Sequence, residues 1–528
     1  MKKLLALLFC GMALLATSAC DRKDSGAAAP ANDANTLSVL AGSELKDIEP
    51  LLPNVEKATG IHIVMRYAGT LEAVERLQSG EQTDAAWLAS AHYAMLVPAV
   101  KARITASDRT MLTPVVLGIR QSKAKELGWE NNPDVTWKDI ADAAIKGKFT
   151  FGMTSPASSN TGFSGLLGLA AALSGKGDAL EAKDIDAKKL SSFFKAQRLT
   201  AGSSGWLVDS YVKEQDKVDG IINYASTLLS LNRRPDLKEK LVLIYPKDGI
   251  ITADYPIMLL NPAKRDAYAK VVAYLRGKEF QQDMASSTLR RPVNPDVQVA
   301  DVPAQPLIEL SFPAKLEVID AILSAFDNNL RLPTDSTFVL DQSGSMNGER
   351  IAGLKNAMLG LSGADTSISG RFARFHNRER IFLLPFSEKP SATEEFDMGD
   401  DEQSNQATLV RITGRVNELR ANGGTAIYDS LMQAYKQALV RRHADGARFY
   451  SLVLMTDGEN NDGATVKDFN NWYARLPESD KGIKVFAVIF GEADPRELKS
   501  VAELTGGRSF DSRKSSLQSI FKEIRGYQ

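Results

Sequence analysis

Apolar residues recur along this chain in two alternating patterns. Short, mostly apolar runs of four or five residues, such as Leu37–Leu40, Ile61–Val64, Val115–Ile119, Phe149–Met153 and Leu241–Ile244, have the length and bounded character of buried strands. Between them lie stretches with apolar positions three and four apart, the spacing of amphipathic helices. This alternation predicts an α/β domain with mainly parallel sheets over residues 37–312. Leu316, Ile319, Leu323 and Phe326 recur at helical spacing and predict a connector helix within 313–335. A second alternating series begins at 336, with strands at Thr337–Leu340, Ile381–Leu384, Phe449–Met455, Val485–Phe490 and Arg508–Phe510. Leu517, Ile520, Phe521 and Ile524 give it a closing amphipathic helix.

Polar residues cluster where these strands should end. Asp341-Gln342-Ser343-Gly344-Ser345-Met346 directly follows an apolar strand and opens a helix. Gly423-Gly424-Thr425-Ala426 precedes the helical pattern Ile427, Leu431, Ala434, Tyr435, Ala438 and Leu439. Phe449–Met455 runs into Thr456-Asp457-Gly458. Carboxyl ends of parallel strands are where open α/β sheets bind ligands. Two carboxylates and three hydroxyls gathered there, expected on an exposed edge of the sheet, form a hard oxygen donor set suited to Mg²⁺ or Mn²⁺. A lone Ser-rich loop of this kind also serves as a helix cap, so it is the three elements in order that point to a metal.

These residues resemble the von Willebrand factor A domain with its metal-ion-dependent adhesion site. The resemblance covers residues 336–528 and implies a doubly wound, Rossmann-like domain. Its metal would be held by Asp341, Ser343, Ser345, Thr425 and Asp457 and completed by a Glu or Asp from a partner protein.

In the first half, Ala41-Gly42-Ser43, Ala68-Gly69-Thr70 and the run Ser155–Gly162 place hydroxyls at helix starts, where free N–H groups and the helix dipole favour anions. The same hydroxyls are also common caps, and Trp87 and Trp206 read as core or lobe-surface aromatics. Together with Asp219–Tyr224, Tyr245–Gly249 and Asp254-Tyr255-Pro256, these stretches resemble periplasmic solute-binding proteins, the molybdate-receptor branch above all. That resemblance implies a two-lobed domain whose cleft is lined by Ser43, Thr70, Asn160, Thr161 and Tyr224.

The ends of the chain and its composition add compartment and exclusions. Lys2 and Lys3 precede the apolar stretch Leu4–Leu15 and the small residues Thr17-Ser18-Ala19, which is a secretory signal over 1–19. Cys20 resembles a lipoprotein's lipidated cysteine, although Thr17 departs from the usual aliphatic residue; ordinary cleavage after Ala19 is the alternative. Asp21 matches the position that retains such lipoproteins at the inner membrane. Residues 20–36 are poor in large apolar side chains and read as a flexible tether on the periplasmic side. With Cys10 inside the signal, the mature chain has no internal disulfide. Lys plus Arg number 64 against 65 Asp plus Glu, which leaves no field for nucleic acid. The basic run Arg371, Arg374, Arg378 and Arg380 around His376 reads as a solvated face. Four histidines without metal or triad spacing, and one mature cysteine at the tether, predict no catalytic residues and no enzyme. The expectation is an envelope-anchored binding protein that joins metal-dependent protein–protein contact to recognition of a ligand. The alternative is the receptor of an ATP-driven importer for a small oxyanion or organic solute.

Overall fold

The computed structural model describes residues 34–303, 306–491, 495–513 and 515–528. The signal segment and Cys20 lie outside the described residues. The strands of the first half, in chain order, are β1 (Thr36–Gly42), β2 (His62–Ala68), β3 (Ala85–Trp87), β4 (Ala106–Arg109), β5 (Met111–Arg120) and β6 (Phe151–Thr154). They continue with β7 (Gln197–Ala201), β8 (Gly220–Tyr224), β9 (Leu241–Ile244), β10 (Thr252–Ala253), β11 (Pro256–Leu259) and β12 (Arg291–Pro292). The second half adds β13 (Thr334–Asp341), β14 (Arg380–Phe386), β15 (Glu394–Asp397), β16 (Phe449–Thr456), β17 (Lys484–Ile489) and β18 (Ser509–Asp511).

Three sheets result. Lobe 1 has the order β2-β1-β3-β11-β4, and lobe 2 is built on β10-β5-β8-β6-β7 with β9 and β12 also paired to β5. The N-terminal sheets are mixed rather than mainly parallel. β1 pairs in parallel with β2 and β3, and β6 with β7 and β8, but β11 runs antiparallel to β3 and β4, and β5 antiparallel to β8, β9, β10 and β12. The chain crosses between lobes more than once, and a strand returning from the other lobe enters against the local direction. An apolar run buried on both faces looks the same in either direction.

The C-terminal sheet, β15-β14-β13-β16-β17-β18, is parallel except at its edge strand β15. All eight residues of β13 are buried, as its place between two parallel neighbours requires. One face of the sheet, through Val339, Leu384, Leu452 and Val485, packs on Ile427, Leu431 and Tyr435 of the helix Ile427–Ala444. The other face, through Phe338, Leu340, Val453 and Phe486, belongs to a cluster that also holds Leu207, Tyr211, Ile221 and Leu228 of lobe 2. The connector helix Leu316–Ala325 buries Val318, Ile319 and Ile322 into the cluster shared by the lobes.

The two halves are therefore not independent beads. Glu75 of the lobe 1 helix Thr70–Gln78 accepts hydrogen bonds from Ser369 N (2.8 Å), Ser369 Oγ (2.5 Å) and Lys522 Nζ (3.3 Å). On lobe 2, the Tyr527 ring lies edge-on to Trp206, 6.2 Å between centres, which makes Trp206 part of the contact between halves. Trp87 sits inside lobe 1, donating to Thr110 Oγ1 and the Tyr255 carbonyl. The basic run 371–380 is not a solvated face. Arg371 pairs with Asp320 of the connector, and Arg378 donates to the carbonyls of Asn328 and Arg331. His376 is buried, and Glu379 beside it receives both Arg331 and Arg525. Carbonyls and an acid of the connector, with Asp445 beside Arg380, take up this charge.

Candidate functional site

The C-terminal oxygens converge on one rim, built by three loops that bond to one another. Gly344 N donates to Gly423 O (2.9 Å), Asn422 N to Gln342 O (2.6 Å), and Asn461 N to Thr425 O (3.1 Å). The glycines are needed for this closeness. Gly423 has φ +81°, and a Cβ on Gly424 would stand 1.8 Å from Asp462 Oδ2. Within the rim, Asp341 Oδ1 accepts from Ser343 N (2.7 Å) and its Oδ2 from Thr456 Oγ1 (2.5 Å). The Ser343 and Ser345 hydroxyls lie 3.0 Å apart, and Ser345 Oγ donates to Asp457 Oδ1 at 2.8 Å. A Cβ on Gly458 would lie 3.5 Å from Ser345 Oγ and 3.8 Å from Thr425 Oγ1, so both hydroxyls border the residue that follows Asp457.

This rim is not an exposed sheet edge. β13 is the third strand of six, and Asp341, Ser343, Thr425 and Asp457 are all at most 2% exposed. Burial, with the neighbouring Asp457 charge, pushes the Asp341 carboxyl up from its ordinary range. Two desolvated carboxylates held together disfavour one another's charge, and a divalent cation between them relieves both effects. Among the described residues no trio of His, Cys, Asp and Glu gathers anywhere. The five residues of the rim, two carboxylates and three hydroxyls, are a donor set that fits a hard divalent cation. The sequence did not single out Arg350, whose Nη1 donates to Asp457 Oδ2 at 2.5 Å, or Thr456, the residue on which Asp341 leans. Thr456 directly precedes Asp457, a signal that was there to read; Arg350 carried none.

The N-terminal candidates are brought together only in part. Ser43, Thr70 and Asn160 each begin a helix and border a shared cavity of about 10 Å³ between the lobes. The cap positions of these three helices are Gly42, Gly69 and Ser159, so Ser43, Thr70 and Asn160 are first helical residues rather than caps. Tyr224 stands behind them, its hydroxyl accepting from Asn160 Nδ2 (3.0 Å) and reaching Glu44 Oε1 at 3.5 Å. Thr161 borders neither this cavity nor the larger one, being held among Thr154, Ser159 and Ser204 hydroxyls at 2.8–3.1 Å. Glu44 and Arg290 were missed. Arg290 grips Asp47 with Nη1 (2.9 and 2.8 Å), donates to the Glu44 carbonyl (3.1 Å) and lies over the Tyr255 ring. Burial raises the Glu44 carboxyl. A larger chamber, about 780 Å³, adjoins this cleft and is walled by both lobes and by Ser369, Lys522 and Arg525 of the C-terminal half.

Residues 37–287 match the family model of bacterial extracellular solute-binding proteins, and residues 335–523 that of the von Willebrand factor type A domain. The chain joins a bacterial solute-binding domain to a C-terminal von Willebrand factor A domain. Similar solved structures include the ferric binding protein of Campylobacter jejuni, 16% identical, covering 55% of this chain and 96% of that one with a TM-score of 0.42. They also include the apo ferric ion-binding protein A of Pasteurella haemolytica, 18% identical, covering 56% and 97% with a TM-score of 0.43. The uncharacterized protein sll0103 of Synechocystis sp. is 30% identical over 139 residues, 26% of this chain and 28% of that protein's length. No helix among the described residues is long and apolar enough to cross a membrane.

Proposed function

We propose that this protein is an envelope-anchored binding protein that couples a solute-binding domain to a metal-dependent protein contact. Mg²⁺ or Mn²⁺ is held by Asp341, Ser343, Ser345, Thr425 and Asp457. The observation that carries this reading is the convergence of these five oxygen-bearing side chains, from three mutually bonded loops, on one rim. The two aspartates at most neutralise a divalent ion and the hydroxyls add no charge, so the ion keeps electrophilic character toward a Glu or Asp carboxylate of a partner protein. The Arg350 guanidinium, about one-third exposed beside Asp457, adds to the positive potential facing that carboxylate.

The solute-binding domain takes a small polar solute between its lobes, and a lipid on Cys20 holds the chain at the inner membrane on the periplasmic side. A pull-down from envelope extract with Mg²⁺ and with EDTA tests the contact; the same partners under both conditions overturn it. Cys20→Ser moves the protein to the soluble periplasmic fraction if the lipid is the anchor, and equal membrane recovery rejects that part. The match of residues 37–287 to solute-binding proteins also favours a second reading, the receptor of an ATP-driven importer. Solute binding without any metal-dependent partner would favour that reading instead.

A further inference from the structure

The interlobe cleft has unmet needs of one kind. The half-buried Glu44 carboxylate has no cation within ion-pairing distance among the described residues; its own backbone N–H and the Tyr224 hydroxyl at 3.5 Å are the donors beside it. Asn160 Oδ1, on a side chain 4% exposed, has no hydrogen-bond partner. Glu44 and Asn160 both line the same small cavity. The guanidinium that could have answered Glu44 is engaged elsewhere, with both Asp47 oxygens and the Glu44 carbonyl, and its unpaired Nε belongs to a group lying 4.8 Å over the face of Tyr255. On the same wall Ser43 and Thr70 offer hydroxyls that donate or accept as needed, while Ser90 pairs with His92 (2.8 Å) and Ser158 donates to the Gly202 carbonyl (3.1 Å). A buried acceptor left unpaired is unfavourable, and an unpaired carboxylate more so. An oxyanion would add acceptors and negative charge to this wall. An ammonium supplies three N–H donors on a compact positive charge.

Size agrees with charge. About 10 Å³ is the room of one water-sized group, which fits an –NH₃⁺ head and not a trimethylated one. The adjoining chamber shares Ser43, Glu44, Gly69 and Ser158 with the small cavity and has room for the rest of a molecule. Resting on the solute-binding reading above, we propose that the cleft takes a small polar solute carrying a primary ammonium group. The ammonium sits between Glu44 and Asn160, and the body of the solute extends into the chamber.

Calorimetry on the full chain tests this with glucosamine and putrescine as primary amines, choline and glucose as controls, and molybdate and phosphate as oxyanions. At least one amine should bind, with choline and glucose at least about tenfold weaker and no heat from the oxyanions. Glu44→Gln should weaken the amine about tenfold or more, the scale of one lost charge-assisted bond. Asn160→Asp should tighten it several-fold, a gain that a merely structural Asn160 would not produce. Unchanged amine affinity in both variants overturns the seat assigned to the ammonium. Oxyanion binding that strengthens in Glu44→Gln overturns the proposal and leaves the solute-binding reading standing. An absence of heat from every probe overturns both.

Discussion

The C-terminal rim and the interlobe cleft are both built from strand ends that feed helices, yet they are assembled in opposite ways. Each element of the rim comes from one sheet, and its three loops are bonded backbone to backbone, so the donors are fixed before any ligand arrives. The cleft takes Glu44 from lobe 1 and Asn160 and Tyr224 from lobe 2, joined by one 3.0 Å bond and one 3.5 Å contact. A rim on one sheet is preorganised; a cleft between two lobes is completed by closure. The rim should therefore respond steeply to loss of one side chain, whereas the cleft should share the loss of any one hydroxyl among its neighbours.

The largest expected effect lies where the connector and the closing helix meet on one buried acid. Glu379 is 1% exposed and receives both Arg331 and Arg525. Glu379→Ala, which takes from two buried cations the carboxylate they share, should cost about 3–5 kcal/mol, read as a drop in melting temperature for both halves. Loss confined to one half would mean that the halves melt separately. Burial alone would push the Glu379 carboxyl up, but the Arg525 and Arg331 charges outweigh it and hold it down, from 4.5 to about 2. A depressed acid stabilises above its unfolded value, so this contribution, roughly 3 kcal/mol, is present above pH 4.5 and lost as pH falls toward 2. A wild-type stability profile flat across that window, or as steep in Glu379→Ala, would reject the role.

Next comes the rim itself. Asp341→Ala should abolish the calorimetric Mg²⁺ signal, at least about 100-fold weaker for loss of one of two charged ligands. Thr70→Ala in the cleft should change solute affinity by less than about tenfold, since neighbouring hydroxyls remain. Equal sensitivity of the two sites would break the contrast. Saturating Mg²⁺ should raise the wild-type melting temperature by a stabilisation of about 2.7 kcal/mol at 100 times the Kd, and should leave Asp341→Ala unmoved. The smallest effect is a matched pair. Thr136 and Thr465 close identical capping boxes with Asp139 and Asp468, one in each region. Replacement of either by Ala should cost about 1 kcal/mol, and a large difference between them in chemical denaturation would show unequal local stability.

The same contrast governs what could be read from the sequence. Asp341, Ser343 and Ser345 sit two residues apart after an obvious strand, and Thr425 and Asp457 occupy equivalent ends, so the rim was legible from spacing. Its burial was not, because a strand's place within a sheet depends on pairing across more than a hundred residues. The parallel pairing of β13, β14, β16 and β17 follows the alternating pattern, whereas the antiparallel returns of β5 and β11 are set by crossings between lobes that leave no local trace. Glu44 stood beside the chosen Ser43, but nothing local said that its carboxylate would lack a cation. Arg290 lies 246 residues from the Glu44 carbonyl it holds. The basic run 371–380 misled for a related reason, since its partners come from the connector and the closing helix.

The shared apolar cluster also bears on how the chain is made. Leu207 and Tyr211 in lobe 2 complete their packing with Phe521 and Tyr527, which leave the ribosome roughly 300 residues later. Until then the first half carries an apolar patch facing water, on a chain whose opening residues read as an export signal. Such a patch invites association with other chains, so a holding chaperone or rapid completion of synthesis is required of the route to the fold.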